Sequence, residues 1–374
     1  MNPSRIIISG GGTGGHIFPA VSIANALRER LPACEILFVG AMGRMEMKRV
    51  PEAGYEIVGL PVQGFDRSKL MSNVGVVWNL FRSLCSARKV IKSFNPDIAI
   101  GVGGYASGPT LWMAAMAGIP TLIQEQNSYA GVTNKLLARM AHKICVAYDG
   151  MQTFFPEEKI VMTGNPIRND LLIASEKKNE ALRYFDLSPN KRTLLVVGGS
   201  LGARTINHCL RDGLDRLLKQ HNHLQLIWQT GSSFRNEAKE ALGAYSDSSV
   251  WCDDFIRRMD YAYAAADLVI SRAGASSISE LCLLGKPVIL VPSPNVAEDH
   301  QTHNAMALVR KDAALLVRDQ EASELLIKTA LETLEKPDTL LSLSEHIKAL
   351  AEERSAERIV DEIISIIDRS KKQE

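Results

Sequence analysis

The feature that most constrains this chain is a pattern it states twice. Residues 5–31, RIIISGGGTGGHIFPAVSIANALRERL, pass from an apolar β-branched run through a glycine loop into a helical pattern. Residues 193–218, TLLVVGGSLGARTINHCLRDGLDRLL, repeat it half a chain later. An unbroken apolar strand leading through glycines into a helix belongs to a parallel sheet, whose crossover helices cover both faces. The first copy predicts a strand at Arg5–Ser9, a loop at Gly10–Gly15 and a helix from about Pro19, since a missing N–H costs nothing in a first turn. The second predicts a strand at Thr193–Val197 and a loop at Gly198–Gly202.

A further echo supports the doubling. PDIAIGVGGYASGPTLWMAAMAGIPTLI and ADLVISRAGASSISELCLLGKPVILVP both read as strand, small-residue loop, short helix and a Gly-x-Pro exit, at Gly118–Pro120 and Gly285–Pro287. Glycine at a helix end followed by proline is a stop signal. At 374 residues the chain exceeds the usual size of one core, so two domains are expected. The fold class is α/β, with two Rossmann-like domains. Gly and Pro in TGNPIR, just before a polar stretch, predict the junction. The first domain is expected over 1–163, completed by a helix at about 350–374, and the second over 164–349.

Composition removes several function classes. The net charge of +1 gives no global attraction for nucleic acid, and none is expected as a partner. Six scattered cysteines without a C-x-x-C pair read as reduced thiols, not disulfides or a zinc site. The opening strand-like run predicts no secretory leader, and no stretch reaches the ~18 apolar residues of a membrane span. Any work at a membrane is expected from its surface.

Gly10, Gly12 and Gly15 satisfy G-x-G-x-x-G between strand and helix, where pyrophosphate can meet a helix N-terminus. The plainer reading is a tight turn with close strand–helix packing. A nicotinamide-binding domain also needs an acid at the end of its second strand. Here EILFVG exits into Gly40-Ala41, which disfavours an oxidoreductase. Ser200 in the second loop, and Ser276 and Ser277 in RAGASSISE, can bind an anion or cap a helix. Three such loops favour a nucleotide diphosphate.

At this point the segments GGTGGHIFPA, GVGGYASGP, QEQNSYAGVTNK, TGNPIR, VVGGSLGAR, DDFIRRM, SRAGASSISEL and EDHQTHNA, spread in this order over residues 5 to 305, resemble the motifs of the MurG family of peptidoglycan N-acetylglucosaminyltransferases. The resemblance implies a GT-B fold, two Rossmann-like domains with parallel sheets facing across a cleft. It implies inverting transfer of GlcNAc from UDP-GlcNAc to lipid I, undecaprenyl-pyrophosphoryl-MurNAc-pentapeptide, giving lipid II. The work would be done peripherally on the cytoplasmic face of the bacterial inner membrane, with cell-wall or division proteins as partners. Carried over by motif, the donor contacts are Thr13, Gly14, Gly15, Asn127, Arg168, Ser200, Ile256, Ala275, Ser276, Ser277, Ile278, Ser279, Glu280 and Gln301. Glu280 would take the ribose hydroxyls, Ile256 the uracil through its backbone, Arg168 and Ser200 the diphosphate, and Asn127 and Gln301 the sugar. EDHQTHNA can slip by one residue, leaving His300 or Gln301 as the sugar contact. Gln124 stands where some relatives have His and is given no acid–base role.

Inverting transfer needs a base for the acceptor hydroxyl and stabilisation of departing UDP. The chain contains no Asp-x-Asp to hold a metal, and no metal or cofactor is expected. His16, at the end of the first glycine loop, is the candidate base, with Glu125 as its rival; a histidine that only hydrogen-bonds the loop is the plainer alternative. His300 and His303 with Asp299 have a metal-like spacing, but read as a solvated helix start. From Arg67 to Pro96 there are six basic residues and no acid, interleaved with apolar ones. That segment reads as an ordinary amphipathic helix or as a contact for an anionic membrane surface. A GT-B transferase with another lipid acceptor, to be distinguished near Tyr105 and Tyr129, and a non-catalytic UDP-sugar sensor are the alternatives.

Overall fold

In the computed structural model, which describes residues 3–62, 73–167, 171, 177–199, 202–245 and 250–372, Ile6, Ile7 and Ile8 follow one another and none touches solvent. Successive strand side chains point to opposite faces, so three buried in a row require a sheet covered on both sides. Ile6 and Ile8 pack into one core with Ile17, Ile23 and Leu27, while Ile7 packs into a second with Ala87, Ile91 and Leu111.

The chain divides into two compact units, residues 1–167 with 353–374, and residues 168–352. The first begins β1 (Arg5–Ser9), α1 (Gly14–Arg30), β2 (Glu35–Ala41), α2 (Glu46–Glu52), β3 (Glu56–Leu60) and α3 (Asn73–Phe94). It continues with β4 (Ile98–Gly101), α4 (Ser107–Met116), β5 (Thr121–Glu125), α5 (Val132–Leu137), β6 (Lys143–Val146) and β7 (Ile160–Met162). The strands form one parallel sheet in the order β3-β2-β1-β4-β5-β6-β7. The helix Ser355–Lys371 returns to this unit and buries Ile359, Val360, Ile363, Ile366 and Ile367 in the core that holds α1.

One expectation about α1 is corrected. The helix starts at Gly14, not near Pro19, and the proline lies within it, buried. Its ring removes one intrahelical hydrogen bond near the helix start. The two glycines that seemed to belong to the loop are the first helical turn.

The second unit contains α6 (Lys178–Tyr184), β8 (Arg192–Val197), α7 (Arg204–Asp212), β9 (Leu224–Gln229), α8 (Arg235–Leu242), β10 (Val250–Asp253) and α9 (Met259–Ala265). β11 (Leu268–Ser271), α10 (Ala275–Leu284), β12 (Val288–Leu290), α11 (His300–Val309), β13 (Leu315–Leu316), α12 (Ala322–Leu334) and α13 (Pro337–Lys348) complete it. Its parallel sheet has the order β10-β9-β8-β11-β12-β13. Leu194, Val196 and the fully buried Trp228 pack with Ile206 and Leu210 of α7 and Leu326 and Leu331 of α12.

The internal echo has a structural cause. Asp97, just before β4, accepts the amide of Arg5 at 2.7 Å, and its own amide donates to the Arg5 carbonyl at 2.7 Å. Asp267, just before β11, does the same with Thr193, at 2.8 and 2.9 Å. In each unit one aspartate fastens the two central strands in register at their amino ends.

The helix Ser355–Lys371 generates a test. Ile363→Ala leaves a cavity in the first core and should cost about 2–5 kcal/mol. Hydrogen exchange in graded urea reads it: amides of β1 and β4 should lose protection at lower urea, while those of β8 and β11 keep theirs.

Candidate functional site

In doubly wound sheets ligands gather beyond the carboxyl ends of the strands, where the strand order reverses. In the first unit that point lies between β1 and β4, and in the second between β8 and β11. The two glycine loops and the two small-residue loops singled out in the sequence stand at these points.

In the first unit Thr13 is the residue before α1, its carbonyl accepting the amides of His16 and Ile17, and its hydroxyl makes no capping bond. No acid occupies the first turn of α1, so Gly14 and Gly15 open a helix whose positive end carries no carboxylate of its own. Gly103 (φ +92°) and Gly104 (φ +86°) of the loop after β4 press against it. A Cβ on Gly103 would stand 2.8 Å from His16 Cε1, and one on Gly104 would stand 2.3 Å from the Gly11 carbonyl oxygen. His16 Nδ1 lies 2.9 Å from Gln126 Oε1.

Glu125, at the end of β5, is buried. Its Oε1 accepts the amide and side-chain nitrogen of Asn127, at 3.1 and 3.2 Å, and its Oε2 accepts Gly131 N at 3.0 Å and Asn134 Nδ2 at 2.8 Å. A carboxylate has about four acceptor positions, and these four donors use them. This geometry makes Glu125 the anchor of the 127–134 loop. His16, Glu125 and Asn127 are thus brought to one end of one sheet. Tyr105 on the neighbouring loop is half exposed, and Tyr129 packs edge-on to Phe154 beneath Lys135.

In the second unit α10 begins after Gly274 with no side-chain cap and no acid in its first turn. Ser276 Oγ is shut off from solvent and hydrogen-bonds to no group among the described residues. Ser279 Oγ turns back to the Ala275 carbonyl at 3.0 Å, and the Ala275 and Ile278 side chains are buried, so those two can meet a ligand only through backbone. Glu280 sits one turn on, its Oε2 accepting Tyr263 Oη at 2.9 Å. Ile256 is buried and its amide donates to Gln229 Oε1 at 3.0 Å, which leaves a base contact there to the carbonyl. Gln301 Oε1 accepts Ser293 N at 2.8 Å, so its NH₂ end is the one left to read a sugar. His300 opens α11, and Asp299 Oδ1 accepts Thr302 Oγ1 at 2.7 Å. Among the described residues no cluster of three or more His, Cys, Asp or Glu can hold a metal ion. Arg168 and Ser200 lie outside the described residues.

Four residues that hold this geometry escaped the reading of the sequence. Glu46, fully buried, accepts Gly12 N at 2.8 Å and Ala41 N at 3.0 Å, fixing the first glycine loop from below. Gln126 holds His16, Tyr263 holds Glu280, and Gln229 joins Ile256 to Gly199 through Nε2 at 2.9 Å. The first three have a faint signal, since each lies within a few residues of a motif or a strand end. Gln229 shares that signal as the last residue of β9, but only the fold brings it to the loop.

The comparisons with known proteins follow this division. Residues 6–146 match the Glycosyltransferase family 28 N-terminal domain and residues 193–360 its C-terminal domain. A protein of Parabacteroides distasonis is 65% identical over 369 residues, covering 99% of this chain and 100% of its own length. One of Phocaeicola vulgatus is 60% identical, covering 99% and 98%. Both are named UDP-N-acetylglucosamine–N-acetylmuramyl-(pentapeptide) pyrophosphoryl-undecaprenol N-acetylglucosamine transferase. Among solved structures, Acinetobacter baumannii MurG superposes with a TM-score of 0.78 at 26% identity, covering 97% of this chain and 100% of that one. A Neisseria meningitidis UDP-GlcNAc 2-epimerase superposes with a TM-score of 0.68 at 14% identity over 97% of this chain and 100% of that one, a likeness of fold alone.

Removing Glu46 should show what it holds. Glu46→Ala leaves the buried Ala41 amide and the half-buried Gly12 amide unpaired, a loss of roughly 2–4 kcal/mol. The amides of Gly12 and Ala41 should then exchange faster, and Glu46→Gln, which keeps one acceptor, should recover part of the loss.

Proposed function

The chain belongs to the MurG family within glycosyltransferase family 28, and from that premise we propose that it transfers GlcNAc from UDP-GlcNAc to the 4-hydroxyl of MurNAc in lipid I, giving lipid II. The transfer inverts the anomeric carbon. The new bond from the acceptor oxygen to C1 forms as the bond from C1 to the diphosphate breaks. The first unit supplies the base: His16 takes the acceptor's hydroxyl proton, while Glu125 holds the loop that carries Asn127. The second unit stabilises the charge that leaves with UDP.

The observation that carries the donor reading is α10. An uncapped helix end without an acid, a buried serine hydroxyl with no hydrogen-bond partner among the described residues, and a carboxylate one turn later suit a diphosphate followed by a ribose. On this reading Glu280 accepts the ribose hydroxyls. Ala275 through Ser279 present amides and hydroxyls to the phosphates, together with Arg168 and Ser200. Ile256 meets the uracil through its carbonyl. Gln301, braced by Ser293, reads the sugar, and in the first unit Asn127, Thr13, Gly14 and Gly15 are the donor contacts.

No helix among the described residues is long and apolar enough to cross a membrane. The acceptor is lipid-linked, and the first unit has a surface that suits its setting. On α3, Ser83, Ala87 and Ile91 face inward at helical spacing, while Trp78, Leu80 and Phe81 are exposed beside Arg82, Arg88, Lys89 and Lys92. Trp112 and Met116 of the adjacent α4 are exposed as well. Arg67, Lys69, Leu70 and Met71 lie outside the described residues. Contiguous apolar groups rimmed by cations suit the cytoplasmic surface of an anionic membrane.

Two experiments test these readings. Labelled UDP-GlcNAc and the lipid-linked acceptor should give a product heavier by one GlcNAc. His16→Ala should lower turnover by about 100- to 10,000-fold while donor affinity holds. Glu280→Ala should instead weaken UDP-GlcNAc binding roughly ten- to a hundredfold by calorimetry. Transfer to a diacylglycerol and not to the muramyl lipid would overturn the acceptor assignment. For the membrane surface, vesicle co-sedimentation should require anionic lipid and fall with salt. Charge reversal at Arg82, Arg88 and Lys89 should cut the partition by about two orders of magnitude, with UDP-GlcNAc affinity kept. Equal sedimentation of both proteins would place the membrane contact on another face.

A further inference from the structure

Gln126 was no part of the family-derived site, yet its surroundings specify the proton on the imidazole beside it. Its Nε2 end faces three oxygens: the Val102 carbonyl at 2.7 Å, the Gln124 carbonyl at 3.4 Å, and Gln124 Oε1. Turning the amide over would set its oxygen against three acceptors, so the nitrogen belongs at that end. The opposite end is therefore the oxygen, and it is the atom 2.9 Å from His16 Nδ1. A carbonyl oxygen only accepts, so Nδ1 is the nitrogen that carries hydrogen.

We infer that Gln126 is a positioning residue that fixes His16 as the Nδ1–H tautomer, making Nε2 the nitrogen that receives the acceptor's proton. The inference rests on the reading of His16 as the base. The amide is braced in turn. Asn165 Nδ2 donates to the Gln126 carbonyl at 3.0 Å, and Asn165 Oδ1 accepts Gln124 Nε2 at 3.0 Å. All three side chains are buried, and the missing Cβ of Gly103 leaves the ring its place. In the reaction the hydroxyl proton passes to Nε2 as the acceptor oxygen bonds to C1 and the electron pair of the broken bond leaves with UDP. The imidazolium keeps its Nδ1–H on Gln126 and later returns the Nε2 proton to water. An amide selects the tautomer without adding charge. A carboxylate in its place would favour the imidazolium, and the base would stay protonated to higher pH.

The test joins spectroscopy to kinetics on the full chain. Nitrogen NMR of histidine-labelled protein, with the His16 signals assigned by their loss in His16→Ala, should show Nδ1 protonated and Nε2 bare in the neutral ring. Gln126→Leu should shift the ring toward the Nε2–H form and lower kcat on the order of a hundredfold, with UDP-GlcNAc affinity unchanged. Gln126→Glu, with its proton on the oxygen that faces Val102 and Gln124, still offers its other oxygen to Nδ1 and should recover at least about tenfold of that loss. A native ring protonated on Nε2, or a Gln126→Leu kcat within about threefold of native, overturns the inference. Should His16→Ala keep more than about a tenth of native turnover, the reading of His16 as base fails instead. The nitrogen spectrum would still decide whether Gln126 sets the tautomer.

Discussion

A methyl group placed on Gly104 would sit 2.3 Å from the backbone oxygen of Gly11, closer than any real contact. That approach, backbone against backbone where the first sheet changes direction, is what the arrangement around His16 depends on. With the loops after β1 and β4 touching, the histidine lies in the space a side chain on Gly103 would fill, with Gln126 against its Nδ1. Van der Waals exclusion sets the position, and hydrogen bonds then choose the orientation. Neither would suffice alone: the first leaves the ring free to turn, and the second would have nothing to aim.

The same division of labour runs through the second unit with different parts. Tyr263 steers the carboxylate of Glu280, Ser293 the amide of Gln301, and Gln229 ties the second glycine loop to the segment carrying Ile256. In both units the groups suited to touch a substrate are held by groups one step further from it. This arrangement keeps polar side chains oriented before a ligand arrives, so less ordering remains to oppose binding.

What could be read in the sequence was what repeats along it. Runs such as RIIIS and TLLVV declare buried parallel strands, and Gly118 and Gly285 declare helix ends, because period and punctuation are local properties. The start of α1 was misjudged for a local reason as well: Pro19 suits a first turn, but the preceding glycines were already helical. The motifs pointed to His16, Asn127 and Glu280. They did not point to Glu46, whose use comes from two amides, one 34 residues earlier in the chain, or to Gln126, whose orientation is set by Val102 and Gln124. Glu125 illustrates the limit most clearly. A carboxylate in a motif invites a proton-transfer role, and only the four donors around it show that its lone pairs are taken.

The helix Ser355–Lys371 has a consequence for how this protein is made. Residues 168–352 are continuous and form their own unit, but the first unit needs residues 353–374 to close its core. Synthesis at about 5–20 residues per second separates the two parts of the first unit by roughly 10–40 s. During that interval Ile23 and Leu27 of α1 wait on the ribosome without their partners, while the later-made unit can fold as soon as it has emerged. The unit begun first is thus the last to have all of its residues, and the half with the exposed tryptophans is the half the nascent chain must shelter longest.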